Sequence, residues 1–375
     1  MHMFAAFYFV IVLSIESYWN ISYNELIKLW SLGALLIGLG AIPFGWLSDR
    51  WSRSAMMVIM FIGMGISSIL CGFSSTKLDL FIGLSILGLS CSIYHPVGIA
   101  WIINSSKKKG KALGINGIFG GVGIGSGAFI AGFLLKFFNW NITFIIPGII
   151  SISIGFLLFL LIILKKVSFK NTKSDYINEK NSTNNLIIIA IIMLFAMFGL
   201  GLTFQIMQTS LPKVFDIRLS NYSTFKIGST IGFIYLLSGI MTFIGGLLAD
   251  KFPLKKIYIL GLAGQVPCYL AIAYLSGLPL IFICLAAAIF NSSILPAENI
   301  LLSKFTPEKH HGLIYGCKFV IAFGSGPLAI FFVAKTYETT LEFTNLFLSS
   351  SFIMFFIFFL VLFLPFKDNN LKLSN

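Results

Sequence analysis

Long apolar stretches alternate with short polar segments along the whole chain. Each stretch has about 20 residues, which is the length a helix needs to cross the hydrocarbon core of a bilayer. The stretches are apolar on every side rather than at every second residue, and this argues against membrane β-strands. The pattern predicts an all-α polytopic membrane protein.

Twelve transmembrane helices fit this pattern. They cover roughly residues 3–19, 29–48, 54–73, 79–103, 110–135, 141–164, 186–210, 227–249, 256–275, 279–301, 312–334 and 343–365. The segment between spans six and seven is rich in Lys, Asn and Ser without apolar periodicity, so it predicts a linker. The predicted organisation is a six-helix half at 1–164, a cytoplasmic linker at 165–185, and a six-helix half with a short cytoplasmic tail at 186–375.

The placement of charge gives the predicted orientation. The chain is 57% hydrophobic and 10% charged, with a formal net charge of +13. Loops after even-numbered spans, with the C-terminal tail, hold 18 Lys and Arg, against seven in the opposite loops. Because basic loops stay inside, both termini are predicted to be cytoplasmic, in a bacterial inner or plasma membrane. A basic charge spread over such loops does not indicate nucleic-acid binding.

The chain repeats itself at equivalent places in its two halves. Span two ends in GWLSDRWSR and span eight in GGLLADKFPLKK, while span four contains HPVGIAW and span ten LPAENILL. In this alignment Pro96 matches Pro296 and Asn116 matches Lys318. The repeat indicates a parallel duplication, which places a substrate path between the halves near the bilayer midplane. The shared proline predicts a bend in both copies.

The repeated turn between two helices has a candidate gating role. Gly45 would allow close approach of a neighbouring helix, and Asp49 could accept hydrogen bonds from the next helix or from a basic partner. Such a contact can hold one face closed and release it on rocking. A single copy could be a solvated turn, but two copies argue against that alternative. The predicted gate residues are Gly45, Asp49, Arg50, Arg53, Gly246, Asp250 and Lys251.

These two motifs resemble the signature of the major facilitator superfamily in the loops after spans two and eight. The resemblance covers essentially the whole chain, and it implies two pseudo-symmetric six-helix halves and secondary transport. YHPVGIA also resembles the His-Pro segment of the fosmidomycin-resistance-like branch. The glycine-rich span five is similar to the antiporter motif of the superfamily, but Ala128 stands where a Gly-Pro is expected.

The glycine run of span five, GIFGGVGIGSGAFIAG, is not a phosphate loop, because it lies inside an apolar span without a Lys-Ser/Thr ending. We interpret it as a surface for close helix packing and bending at a moving interface.

Ionisable residues at membrane depth carry the sharper hypotheses, because burying a charge there is costly. Glu298 and Lys318 lie ten residues on either side of Glu308, so they fall at equal depth and could form an ion pair or contact substrate. Alternatively, Glu298 is hydrated and Lys318 snorkels. Lys318 is the stronger candidate for an anionic or carbonyl-bearing substrate.

His95 titrates near neutral pH, so it could relay protons, line the cavity or make a fixed hydrogen bond. Glu16 lies near the outer end of span one and His2 near its inner end, where interfacial solvation explains both. The candidate residues for ion coupling are Glu16, His95 and Glu298.

Several polar residues complete the candidate cavity. Gln205, Gln208 and Thr209 share one face of span seven by their spacing. The cavity candidates are His95, Tyr94, Asn116, Gln205, Gln208, Glu298 and Lys318, with Asn291 and Tyr235 as weaker ones. Ordinary hydrogen bonding between helices explains Tyr94, Asn116, Asn291 and Tyr235 equally well.

These observations predict a secondary transporter of a small molecule, working by alternating access and driven by protons or another ion, since the sequence contains no Walker-type loop. A transport-like receptor or sensor is an alternative. An intramembrane enzyme fits poorly, because neither HExxH nor GxSxG occurs. Drug or metabolite efflux and organic-anion or metabolite uptake both stay open. We expect a monomer in the lipid bilayer, without cofactor, metal or nucleic-acid partner.

Overall fold

The structure is a computed structural model that describes residues 1–98, 109–166, 186–304, 318 and 320–364. In this part of the chain every regular element is helical. Twelve helical segments are long and apolar enough to cross a membrane, which confirms the all-α prediction. They are His2–Trp19, Tyr23–Ser48, Arg53–Gly72, Lys77–Gly98, Ile115–Phe137, Trp140–Ile163, Ile191–Arg218, Thr224–Lys251, Leu254–Tyr274, Gly277–Leu302, Val320–Thr340 and Thr344–Leu362, numbered here as spans one to twelve.

Span seven is longer than predicted. Its helix runs over Leu186–Arg218, past the predicted end at residue 210, with Pro212 inside it. Charged residues and a proline at the end of an apolar run are typical of a loop. Here Lys213 and Arg218 instead have partners on neighbouring spans, so the helix continues. Several basic residues that we counted as loop residues therefore lie in helices.

Two spans of the first half are interrupted. Span two consists of Tyr23–Lys28, Ser31–Leu39 and Ala41–Arg50. Span four consists of Lys77–Cys91 and a short helical segment at 94–98.

The break in span four precedes Pro96, because a proline cannot donate a hydrogen bond to the carbonyl four residues earlier. Pro296, by contrast, lies inside the uninterrupted helix Gly277–Lys304. The predicted break in both copies is therefore wrong for the second copy.

Within each set of six spans, hydroxyl groups join helices through backbone carbonyls. Ser68 of span three donates to the carbonyl of Phe144 in span six at 2.6 Å. Ser351 of span twelve donates to the carbonyl of Val266 in span nine at 2.8 Å. Such bonds satisfy polar groups without charge in an apolar bundle.

The glycine run of span five packs closely against two helices. A methyl group added at Gly125 would lie 2.6 Å from the carbonyl oxygen of Gly232 in span eight. One added at Gly127 would lie 2.6 Å from the carbonyl oxygen of Met3 in span one. A side chain at either position would separate the backbones, which confirms close packing as the use of this run.

The two ends of the bundle are named here by their loops. The odd-loop face carries the connections after odd-numbered spans, such as residues 20–22 and 341–343. The even-loop face carries the ends of spans two and eight, at Arg50 and Lys251.

Candidate functional site

The two predicted gate motifs pack against the two matched prolines. A methyl group at Gly45 would lie 3.1 Å from Cβ of Pro96, and one at Gly246 would lie 4.0 Å from Cβ of Pro296. Span two thus approaches span four as span eight approaches span ten. The duplication preserves this helix contact in both halves, with less space in the first.

The charged gate residues lie at helix ends on the even-loop face. Arg50 ends the last helix of span two, and its guanidinium carbon lies 4.1 Å from the centre of the Trp46 ring. Asp250 and Lys251 end span eight and are exposed. Ser52 accepts a hydrogen bond from the Ala55 N–H and caps span three, which Arg53 begins. The side chain of Asp49 lies outside the described part of the chain, so its predicted latch stays a prediction.

His95 lies in a cluster of rings where the two halves meet. Its ring centre is 5.3 Å from those of His2 and Tyr94 and 4.8 Å from that of Phe323 in span eleven. His95 is buried. This arrangement places the imidazole between spans one, four and eleven, where a planar ligand could meet several ring faces.

Tyr94 and Asn116 form a neutral pair between spans four and five. The Tyr94 hydroxyl donates to Oδ1 of Asn116 at 2.5 Å. Hydrogen bonding between helices, one of the two explanations considered above, is therefore present for both residues.

The matched position in the second half carries a charge. Lys318 Nζ lies 2.5 Å from Glu298 Oε1 and donates to Asn299 Oδ1 at 2.5 Å. The Tyr258 hydroxyl donates to the other Glu298 oxygen at 3.0 Å. Glu298 is only 2% exposed, so this is a buried ion pair rather than a hydrated carboxylate. The ion pair expected from equal depth is present.

An enclosed cavity of about 200 Å³ lies between spans one, five, seven and eight. Its lining is apolar apart from Gln208 of span seven and Tyr235 of span eight. The Tyr235 hydroxyl is buried and has no hydrogen-bond partner among the described residues. A buried hydroxyl without a partner is unfavourable, so this group is suited to a polar ligand atom or a water molecule.

The other polar residues expected to line the cavity have different surroundings. Gln205 packs towards span eleven, where its Nε2 lies 3.0 Å from the position of a methyl group at Gly326. Thr209 offers its carbonyl to the Tyr23 hydroxyl at 3.2 Å. Asn291 donates to Gln265 at 3.2 Å between spans ten and nine. Of the three polar residues on span seven, only Gln208 lines this cavity.

A cluster of charges joins the halves at the odd-loop face. Lys213 Nζ lies 2.7 Å from Glu16 Oε2 on span one and 2.9 Å from Asp216 Oδ2 on its own helix. Solvation at the interface, which we favoured for Glu16, is therefore not its main contact. Lys213 was missed because it follows Pro212 and resembles a loop residue.

Two tyrosines complete this cluster. Lys213 Nζ lies 5.7 Å from the centre of the Tyr23 ring and 5.5 Å from that of Tyr337. The two rings meet edge to face, with centres 5.3 Å apart. Because Tyr23 belongs to span two and Tyr337 to span eleven, this contact also crosses between the halves.

A second charged contact on this face stays within the last six spans. Arg218 donates from Nε to Glu342 Oε1 at 3.0 Å, and from Nη1 to the carbonyl of Ile272 at 2.6 Å. Its Nη2 also donates to Glu342. One side chain thereby fastens span seven to span nine and to the loop after span eleven.

The Glu342 carboxyl responds to these contacts. Burial alone would raise its pKa, but hydrogen bonds from Arg218 and the Phe343 N–H, with the Arg218 charge, hold the pKa below its ordinary value. The carboxylate form is therefore favoured by folding.

The described residues contain no group of three or more His, Cys, Asp or Glu side chains that could hold a metal ion. The four described cysteines, Cys71, Cys91, Cys268 and Cys284, are free and buried. They pack as small apolar side chains, and Cys317 lies outside the described residues.

Twelve membrane-length helices around an enclosed cavity, with contacts that join two sets of six, are typical of a membrane transporter. The sequence model of the Major Facilitator Superfamily matches residues 1–329 and 221–372. The chain belongs to this superfamily, so it is a membrane transporter of a small molecule and not an enzyme. The resemblance to the fosmidomycin-resistance-like branch stays a prediction.

Curated relatives with known names match over different lengths. The riboflavin transporter RibZ of Clostridioides difficile is 31% identical over 133 residues, covering 34% of this chain and 29% of that protein. The benzoate transport protein of Acinetobacter baylyi is 30% identical over 117 residues, covering 29% of this chain. The chain thus spans less than a third of these two relatives. The class B tetracycline resistance protein of Escherichia coli is 23% identical and covers 85% of this chain and 80% of that protein.

A solved structure shares the fold. The inward-facing, occupied crystal structure of a bacterial homologue of the human lysosomal transporter Spinster matches with a TM-score of 0.70 at 16% identity. The match covers 96% of this chain and 91% of that one. At this identity the likeness concerns the arrangement of helices alone.

Proposed function

We propose that the chain is a secondary transporter that moves a small organic molecule by alternating access, with residues 1–164 and 186–375 rocking around the central cavity. The cavity carries this proposal, because spans one and five come from one half and spans seven and eight from the other. Rotation of the halves would open it to one side at a time. We expect the transporter to act as a monomer.

The even-loop face is proposed to be cytoplasmic. The excess of Lys and Arg in the even-numbered loops supports this orientation. The gate motifs then lie at the cytoplasmic end, and the Lys213 contacts lie at the outer end. Asp49→Asn is expected to abolish transport while insertion into the membrane stays normal; full activity would contradict the gate.

We propose a substrate with a planar ring system and an uncharged polar group. The rings of His95, Tyr94 and Phe323 support the first feature, and Tyr235 with Gln208 supports the second. Relatives named for riboflavin, benzoate and tetracycline are consistent with a ring.

Lys318 is assigned a different role. An anion would have to displace Glu298 and Asn299, which already bind its ammonium group. We therefore place Glu298 and Lys318 in the ion-coupling and structural part of the second half. Glu16 and His95 remain the other candidates for proton coupling.

The test is transport into proteoliposomes with an imposed pH gradient, using riboflavin, benzoate and tetracycline as probes. We expect at least one probe to move with the gradient and Tyr235→Phe to slow it by about tenfold, the effect of one lost hydrogen bond. Tyr274→Phe, at an exposed ring, is the matched control. Movement of a probe that ignores the gradient would contradict proton coupling, and full activity of Tyr235→Phe would contradict the assigned cavity.

A further inference from the structure

The charges at the odd-loop face are unequally divided between the two halves. Glu16 comes from span one, whereas Lys213 and Asp216 come from the same helix of span seven. Movement of the halves apart at this face would separate Lys213 from Glu16 but leave it beside Asp216. The bond from the Tyr23 hydroxyl to the Thr209 carbonyl would break in the same movement.

The cluster holds two carboxylates and one ammonium group. Lys213 is the one cation within ion-pair distance of either carboxylate in the described part of the chain. The other titratable groups that face Glu16 and Lys213 are the Tyr23 and Tyr337 hydroxyls, which are neutral at ordinary pH. The closed cluster thus has a net charge of −1, and uptake of one proton would neutralise it.

The two carboxylates differ in how much they depend on closure. The Asp216 side chain is 41% exposed and keeps Lys213 three residues away on its own helix. The Glu16 side chain is 23% exposed, and its described ion-pair partner belongs to the other half. Opening would leave Glu16 as a charged group without its cation at the edge of the apolar region, where the neutral form is favoured.

We propose that Glu16 is the site that binds the coupling proton, and that its protonation opens the odd-loop face by releasing Lys213. This inference rests on the proposed proton-coupled function and assigns its coupling site. Closure and protonation oppose each other by linkage, because the ion pair with Lys213 exists only when Glu16 is ionised. A proton arriving from the odd-loop side then promotes access from that side.

The experiment needs no substrate. Phe73 and Leu278 are exposed near the odd-loop face on spans of different halves, so spin labels at Phe73→Cys and Leu278→Cys report its opening. The full chain, with its native cysteines replaced, is placed in lipid nanodiscs and the label distance is measured by pulsed electron paramagnetic resonance from pH 5 to pH 8.5. We expect the longer distance to gain about tenfold over the shorter one at low pH, as one displaced titration allows.

Two variants separate the proposal from a general effect of charge. Glu16→Gln should favour the long distance at every pH, because the neutral amide imitates the protonated acid. Asp216→Asn should keep the response to pH, displaced to lower pH because Lys213 then serves Glu16 alone. Circular dichroism and elution as a single species confirm folding of both variants.

The outcomes are distinguishable. A Glu16→Gln protein that keeps the wild-type response to pH, or a wild-type distance that ignores pH, would overturn Glu16 as the proton site and leave transport itself intact. Failure of the wild-type protein to use a pH gradient in proteoliposomes would overturn the proposed coupling, whatever the label distances show.

Discussion

The two sets of six spans share their helix contacts but differ in their buried charge. Gly45 meets Pro96 in the first set as Gly246 meets Pro296 in the second. At the matched positions 116 and 318, however, the first set has an asparagine bonded to tyrosine and the second a lysine bonded to glutamate.

The same difference holds on the odd-loop face. Lys213 and Arg218 are buried side chains of the second set, whereas the ion pair of Glu25 with Lys77 in the first set is half exposed on both sides. After the duplication, small residues and prolines kept the backbone arrangement, while the polar chemistry diverged. The first half then supplies rings and neutral groups to the transport path, and the second half supplies charge.

Removing one partner of the buried ion pair should have the largest effect. Lys318→Met leaves the Glu298 carboxylate buried without its cation, so we expect a loss of about 3 kcal/mol of unfolding free energy. Asn116→Leu, the matched change in the first half, should cost about 1 kcal/mol, because it removes one neutral hydrogen bond. Thermal and denaturant unfolding in detergent compare the two variants.

A double variant shows whether charge is the cause. Lys318→Met with Glu298→Gln removes both charges and should recover part of the stability lost by Lys318→Met alone. Equal losses for the single and double variants would show that packing, rather than an unpaired charge, explains the effect.

Breaking the Arg218 contact should have a smaller effect with a defined pH dependence. Glu342→Gln should cost about 1–2 kcal/mol, since Arg218 keeps its bonds to backbone carbonyls. Because folding lowers the pKa of Glu342, its contribution is present above the ordinary carboxyl range and is lost as the pH falls through the lowered pKa.

Unfolding temperatures between pH 3 and pH 7 test this dependence. The wild-type protein should lose stability in acid more steeply than Glu342→Gln. Parallel curves for the two proteins would mean that another carboxyl group causes the loss in acid.

Much of the fold could be predicted from the sequence, because each apolar run is a local signal of bilayer length. The Glu298–Lys318 pair was also predictable, since equal distance from one turn gives equal depth along two antiparallel helices. Gly45 was expected to approach a neighbouring helix, but its partner Pro96 depends on which spans are neighbours, and spacing within a span does not contain that information.

The contacts of the odd-loop face could not be predicted for a physical reason. Lys213 and Arg218 follow Pro212, and a proline with charges after an apolar run is the ordinary signal of a helix end. Only partners from distant parts of the chain, Glu16 and Glu342, make it favourable to keep these residues helical and buried. Gln205 and Gln208 share a face by spacing, yet the neighbouring spans divide that face between a helix contact and the cavity.

The matched glycines allow a finer comparison of the two halves. Gly45→Ala places a methyl group 3.1 Å from Pro96, which must yield, whereas Gly246→Ala meets Pro296 at an ordinary 4.0 Å. Alanine favours a helix over glycine by up to about 1 kcal/mol, so Gly246→Ala should be neutral or stabilising. Overpacking at Gly45 should offset that gain and leave Gly45→Ala about 1 kcal/mol less stable than Gly246→Ala. Equal unfolding temperatures for the two variants would contradict a tighter contact in the first half.

The exposed ion pair of the first half should matter least. The Glu25 and Lys77 side chains are 50% and 51% exposed, and water screens their attraction at 2.9 Å. We expect Glu25→Gln to change the unfolding free energy by less than about 0.5 kcal/mol, an effect that added salt reduces further. Glu342→Gln in the second half is its matched control, because both changes neutralise a carboxylate paired with a cation on the same face. If Glu25→Gln cost as much as Glu342→Gln, burial would not be what distinguishes the charges of the two halves, and the first half would also depend on ionic contacts.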